Sequence, residues 1–213
     1  MKKAVIFDMD GVIIDSELVY QKRREQFFRE KDIILTADRQ QSFIGTNPDD
    51  LFLALFPKDE QKQKRERLKA EFLTFRENYV MDIPGMLNPE IEEVLICLKE
   101  AGYRLAVASS GAYASVMNVL EQTKLTTYFE LIVSGQQFAK SKPDPEIYRY
   151  TATHLGLLES ECLAIEDSEH GVKAAQAAGI DVLGLVNKAY QVDLSQATHV
   201  IHSLTELPDW LKR

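Results

Sequence analysis

Long apolar runs are missing from this chain of 213 residues. Nothing in it approaches the ~20 apolar residues that span a bilayer. The apolar stretch after Met1-Lys2-Lys3 is too short for a signal peptide, so neither a membrane segment nor a leader is expected. Cysteine is scarce too. Cys97 and Cys162 lie in apolar contexts without CxxC spacing, which reads as two buried free thiols in the reducing cytosol of a cytoplasmic protein. Positive charge is in deficit: the net charge of -8 leaves no broad basic surface and excludes nucleic acid as the main partner. The stretch from Lys58 to Lys69 is interleaved with Glu and Gln and reads as a solvated helix face. The histidines His154, His170, His199 and His202 show no metal-ligand spacing, and His170 reads as a helix surface residue. A glycine-rich dinucleotide fingerprint is absent, so a nicotinamide enzyme is unsupported. What remains, 45% hydrophobic and 27% charged residues, is ordinary for a globular protein with a substantial core.

The stretch Met1–Asp15, MKKAVIFDMDGVIID, organises the rest. Ala4-Val5-Ile6-Phe7 reads as a strand buried on both faces, and it stops abruptly at Asp8, with Asp10, Gly11 and Asp15 beyond. Carboxylates just past such a strand fall where open α/β sheets bind ligands. Gly11 lets the chain turn there. Acids this close repel unless a cation or proton joins them.

From Ser16 to about Tyr79 the pattern is helical. Ser16 is the candidate N-cap of a first helix that buries Tyr20, Phe27 and Phe28. Asn47 and Pro48 would open a second, with Leu51, Phe52, Leu55 and Phe56 inward, and a third would bury Leu68, Phe72 and Phe75. Met81-Asp82-Ile83-Pro84-Gly85 breaks the pattern as a linker. Then helix, glycine and strand recur: strands at Arg104–Ala108, Leu131–Val133, Leu163–Ile165 and Val182–Leu185, with Gly102, Gly156 and Gly179 ending helices. This predicts an α/β fold: a Rossmann-like parallel sheet core with helices on both faces (residues 1–15 and 82–213) plus an all-helical cap (16–81) inserted through hinges near Asp15 and Ile83.

Parallel strands share one carboxyl end, so their terminal residues meet. These are Asp8 and Asp10, then Ser109-Ser110-Gly111, then Lys142 in the loop Ser141-Lys142-Pro143-Asp144-Pro145, then Glu166-Asp167. The acids suit a divalent ion that prefers oxygen, and Mg²⁺ fits because it combines carboxylates with substrate phosphate. The hydroxyls and the lysine are left to hold an anion. Each residue also has a plain structural reading. Ser109 and Asp167-Ser168 can be capping segments, Lys142 a solvated lysine, and Asp144 before Pro145 a helix start. Glu166 either faces solvent or reaches a metal through water.

DMDGVIID, VASSG, SKPDP and IEDS, in that order, resemble the four motifs of the haloacid dehalogenase superfamily. The spacing is similar to members with a helical cap after the first motif, the β-phosphoglucomutase-like and phosphatase branch. The resemblance implies that Asp8 is a nucleophile taking a phosphoryl group as an aspartyl-phosphate. It implies that Asp10 is general acid and then general base. Asp8 and Asp167, with the Asp10 backbone carbonyl, would bind Mg²⁺, with Glu166 a possible neighbour of the metal shell. Ser109, Ser110 and Lys142 would hold the phosphoryl oxygens. The physics agrees, since a carboxylate attacking a phosphate dianion needs its charge cancelled.

Asp10 separates phosphate-ester chemistry from the dehalogenase members, which carry no acid there, and from phosphonate-cleaving members, which resemble each other in a small residue. In β-phosphoglucomutase the first cap helix carries a His where this chain has Tyr20, and an Arg follows a cap-loop Gly about where this chain has Pro48. A hydrolase is therefore expected ahead of a mutase. Specificity candidates are Tyr20, Arg23, Arg24, Thr46 and Asn47: an arginine of that pair would join Asn47 on the leaving group, unless both arginines are surface residues. A phosphorylated regulatory module, like a receiver domain, is a minor alternative, because there the phosphoryl acceptor follows a middle strand and no helical lid is inserted. The expected partner is a small phosphorylated metabolite, a sugar phosphate first, handled by a monomer or weak dimer.

Overall fold

The computed structural model describes residues 1–43, 46, 48–187 and 191–212. The chain divides into two compact units, one of residues 1–15 with 83–213 and one of residues 16–82. Asp82 thus falls with the helical unit.

The first strand, β1 (Ala4–Phe7), is fully buried. After it come α1 (Glu17–Arg29), α2 (Ala37–Ser42), α3 (Pro48–Leu55) and α4 (Lys62–Asn78), which make up the helical unit. Its core is aromatic: Phe27, Phe28, Phe52 and Phe72 are buried with ring centroids 5.1 to 6.2 Å apart, and Phe43, Leu51, Phe56 and Leu68 complete the cluster. Pro48 opens α3 as the sequence predicts, its missing N–H costing nothing at that position. Ser16 does not cap α1. It is itself helical in backbone and makes no side-chain capping bond. The helix α2 was not expected, because ADRQQS carries no apolar stripe to announce it. The expected roles of Gly45 and Asn47 fall outside the described residues.

Then follow α5 (Ile91–Glu100), β2 (Arg104–Ser109), α6 (Tyr113–Gln122), β3 (Leu131–Ser134), α7 (Glu146–His154), β4 (Cys162–Glu166), α8 (Glu169–Ala177), β5 (Asp181–Leu185), β6 (His199–Ile201) and α9 (Leu207–Leu211). Among the described residues, six strands form one parallel sheet in the order β3-β2-β1-β4-β5-β6. The short edge strand β6 and α9 are too brief for periodicity to reveal. On one face Ala4, Ile6, Ala106, Ala108, Cys162 and Ala164 pack under α7 and α8. On the other, α5 packs against β2 and α9, and Phe7 meets the Phe129 ring edge-on at 6.1 Å. Gly102, Gly156 and Gly179 take positive φ at helix ends, as expected.

Cys162 is buried, and burial pushes its thiol up to about 11. Cys97, expected to be buried, is exposed. The inward stripe of α5 is Ile91, Val94, Leu95 and Leu98, and position 97 lies off it. Chain exit and return are stitched together within the sheet unit. The Asp15 N–H donates to Met86 O at 2.8 Å, and Asn88 Nδ2 donates to Val12 O at 3.2 Å.

The aromatic cluster yields a test. Phe28→Ala removes a fully buried ring that faces three others, and it should cost about 3–5 kcal/mol in urea unfolding. A loss under about 1 kcal/mol would show that the cluster does not hold the helical unit together.

Candidate active site

Strand register brings the acids together. Phe7 pairs with Ile165, and the Asp8 N–H donates to Ile165 O at 3.0 Å, so Asp8 and Glu166 emerge side by side from adjacent strands. Alternation turns Glu166 to the same face as Cys162 and Ala164, under α7. The solvent-facing alternative for Glu166 is therefore corrected: the residue is fully buried. Carboxylate oxygens of Asp8, Glu166 and Asp167 lie within 4.8 Å of one another, all in buried residues. The half-buried Asp10 lies outside that carboxylate cluster, in the turn closed by Gly11 N–H donating to Ile14 O at 2.7 Å.

Lys142 is not a solvated lysine, since its side chain is 5% exposed. Its ammonium donates to Asp8 Oδ1 at 2.6 Å, to Glu166 Oε1 at 2.6 Å and to Ala108 O at 2.8 Å. Asp144 stands just before the following helix, whose N-cap is Pro145, and accepts from the Glu146 N–H at 3.0 Å. Burial works against the charge on Lys142, but Asp8 and Glu166 outweigh it and hold the ammonium well above its ordinary value. The Asp8 carboxyl is pushed well up by burial. Lys142 opposes that rise, while Glu166, Asp167 and Asp10 add to it. Three carboxyl groups thus gather beside one buried ammonium.

Two glycines make room for the acids. Gly11 has φ +82°, and a Cβ there would sit 1.7 Å from Asp167 Oδ2. A Cβ on Gly171 would sit 1.9 Å from the Glu166 carboxylate. Ser168 caps α8 by accepting the Gly171 N–H at 3.0 Å, and its hydroxyl donates to Glu166 Oε2 at 3.2 Å. On β2, Ser109 is buried and its Oγ accepts the Gly111 N–H at 3.1 Å, whereas Ser110 is exposed. Ser134, not foreseen, steadies that turn by donating to Gly111 O at 2.6 Å.

Tyr148 was also missed. Fully buried on α7, it donates its hydroxyl to Glu166 Oε1 at 2.5 Å, and the Lys142 Nζ stands 5.0 Å from its ring centroid. Burial, and then the charge of Glu166, raise its phenol well above the ordinary value. A signal existed: a tyrosine on the inward stripe of a helix must find a partner for its hydroxyl.

In the helical unit, Arg23 and Arg24 are both buried, so neither is the surface residue that the competing reading supposed. Arg24 pairs with Glu17 Oε1 at 2.6 Å. Arg23 lies over the half-buried Tyr20 ring, 4.6 Å from its centroid. The exposed Thr46 donates its hydroxyl to Phe43 O at 2.8 Å.

A parallel sheet with acids, a lysine and a serine at its carboxyl edge defines a phosphoryl-transfer class of α/β enzyme. A sequence model of the family described as haloacid dehalogenase-like hydrolase matches residues 5–185. The chain belongs to that family and is an enzyme of its phosphatase and phosphomutase branch. It is 30% identical over 186 residues to the phosphorylated carbohydrates phosphatase of Thermotoga maritima, covering 87% of this chain and 86% of that one. It is 30% identical over 189 residues to the β-phosphoglucomutase of Bacillus subtilis, covering 86% and 83%. Its fold matches the crystal structure of β-phosphoglucomutase from Clostridium difficile over the whole of both chains, with TM-score 0.73 and 23% identity.

Two substitutions test the supports of Glu166. Tyr148→Phe removes a donor from a buried carboxylate and should lower unfolding free energy by about 1–3 kcal/mol. In Gly171→Ala the helix gains about 1 kcal/mol of propensity. Overlap with a carboxylate anchored by Lys142, Tyr148 and Ser168 should exceed that gain, leaving the variant less stable by denaturant titration. A stabilised Gly171→Ala would mean that Glu166 is free to move.

Proposed function

We propose that the protein is a Mg²⁺-dependent phosphomonoesterase that acts on a small phosphorylated metabolite through an aspartyl-phosphate. The observation that carries this reading is the buried Lys142 ammonium, 2.6 Å from Asp8 at the carboxyl edge of the sheet. An Asp8 oxygen attacks phosphorus as the bond to the leaving oxygen breaks, and Asp10 gives its proton to that oxygen. Asp10, now a carboxylate, takes a proton from water while the water oxygen attacks the same phosphorus. The Asp8 carboxylate is regenerated and inorganic phosphate leaves. Lys142 offsets negative charge on the transferring group, and Ser109 supplies a hydroxyl to its oxygens.

The donor set fits Mg²⁺: buried oxygen ligands, three carboxyl groups beside the single Lys142 ammonium, and a glycine where a side chain would displace Asp167. The Asp8 and Asp167 carboxylates, with the Asp10 carbonyl, would hold it. Bound there, the ion supplies positive charge that relieves the repulsion between carboxylate and phosphate dianion. Tyr20 and Pro48, where the mutase has His and Arg, favour hydrolysis over transfer to a second sugar position. The name of the Thermotoga maritima relative supports a phosphorylated carbohydrate as substrate.

Phosphate release should be followed across sugar phosphates, nucleotides and an aryl phosphate, with Mg²⁺ and with EDTA. EDTA should abolish turnover and Mg²⁺ restore it. Asp8→Asn should be inactive, and Asp10→Asn should lose about 10²–10⁴-fold in kcat. A coupled assay for conversion of β-glucose 1-phosphate to glucose 6-phosphate checks the rival activity. Isomerisation faster than phosphate release would make the protein a mutase, and full activity of Asp8→Asn would remove the proposed nucleophile.

A further inference from the structure

Two serines end neighbouring strands. Ser109 closes β2 and Ser134 closes β3, paired in register and both buried. The Ser134 hydroxyl accepts the Gln136 N–H at 3.2 Å and donates to Gly111 O at 2.6 Å, so the direction of its proton is set. Gly111 gives its own N–H to Ser109 Oγ at 3.1 Å. It is thereby held on both sides of its α-carbon, the carbonyl by Ser134 and the N–H by Ser109. Because Ser109 Oγ accepts that N–H, its own proton must point elsewhere, and among the described residues it meets no acceptor. A buried hydroxyl with one side occupied and its donor open is oriented toward an arriving oxygen. Backbone contact supports the same turn. A Cβ on Gly135, the residue after Ser134, would sit 3.0 Å from Ser110 Cα and 3.4 Å from the Ser109 and Ser110 carbonyl oxygens, so the end of β3 lies directly against it. Ala108, just before Ser109, is the residue whose carbonyl receives Lys142.

We propose that Ser134 is a positioning residue for the phosphoryl site: by holding the Gly111 carbonyl it sets the Ser109 hydroxyl as a donor to the transferring group. This deepens the phosphatase reading and rests on it. Ser134 touches no reacting atom and acts through Gly111 and Ser109. Without its hydroxyl the peptide after Gly111 is free to rotate, and the bond that aims Ser109 Oγ loosens with it. Misplacement of a reacting or binding group by about 1 Å can cost up to about 10²-fold in rate. Every ester carries the same phosphoryl group, so the effect should not depend on the leaving group.

The test is calorimetric titration of inorganic phosphate into the Mg²⁺-loaded protein, beside kcat/KM for glucose 6-phosphate and an aryl phosphate. Ser134→Ala should weaken phosphate binding about 10-fold and lower kcat/KM for both esters by a similar factor. Ser134→Thr keeps the hydroxyl and should recover both. A double-mutant cycle separates positioning from mere support of the fold. Ser109→Ala should weaken phosphate binding by itself, and adding Ser134→Ala to it should change the affinity no further. Unaltered phosphate affinity in a folded Ser134→Ala, or a loss that adds in full on the Ser109→Ala background, overturns the proposal. A threonine variant no better than the alanine one counts against it as well. If Ser134→Ala melts without a cooperative transition, Gly135→Ala takes its place, because its methyl would press on the Ser110 backbone. The same loss is expected from it, absent again on the Ser109→Ala background, and unaltered phosphate affinity would overturn the proposal in the same way. Hydrolysis of no ester by the wild type would instead defeat the phosphatase reading, with the phosphate titration left to decide on Ser134. A wild type that also binds no phosphate would remove both.

Discussion

The three hydrogen bonds of the Lys142 ammonium, to Asp8, Glu166 and the Ala108 carbonyl, are the interaction on which the sheet edge depends. Neither side of that contact is tolerable alone. A lysine this deep would lose its charge without carboxylates, and two buried carboxylates from adjacent strands would repel without a cation between them. Each therefore holds the other in position. The contact also joins three strands, since Asp8 follows β1, Ala108 belongs to β2 and Glu166 ends β4. A loop outside the sheet thus reports on the register of its centre.

Glu166 shows how much of the structure serves that lysine. Its two oxygens receive Lys142, Tyr148 and Ser168, and the Ser168 hydroxyl that donates to it also caps α8. The residue is thus tied to the helix before its strand and to the helix after it. Asp167, one position past the strand, packs against Gly11 instead. Adjacent acids at one strand end thus keep separate supports while their oxygens lie within 4.8 Å of each other. Glycine at 11 and 171 leaves each carboxylate space against backbone that any side chain would fill.

The sheet was legible because its information is local: apolar runs, terminal acids and helix-ending glycines follow one another at short range. Asp8, Lys142 and Asp167 could be read together once the strands were taken as parallel, since parallel strands share an edge. Tyr148, Ser134 and the burial of Glu166 were not legible in the same way. They depend on which face a residue takes and on what packs there, which involves partners 18 to 24 residues away. Cys97 was misjudged for a related reason: its neighbours in sequence are apolar, but the helix turns it outward. In the helical unit the phenylalanines announced a core, whereas six polar residues gave no sign of α2.

The groups gathered at the sheet edge are suited to a phosphoryl group, the part that every phosphate ester has in common. Acids, a lysine and a serine hydroxyl there can set the reaction but cannot tell one alcohol from another. Information about the leaving group must then reside in residues that can vary without disturbing Lys142 and its partners. The helical unit meets that requirement, because it is built on its own aromatic cluster, and a polar position outside that cluster can change without opening a cavity in it.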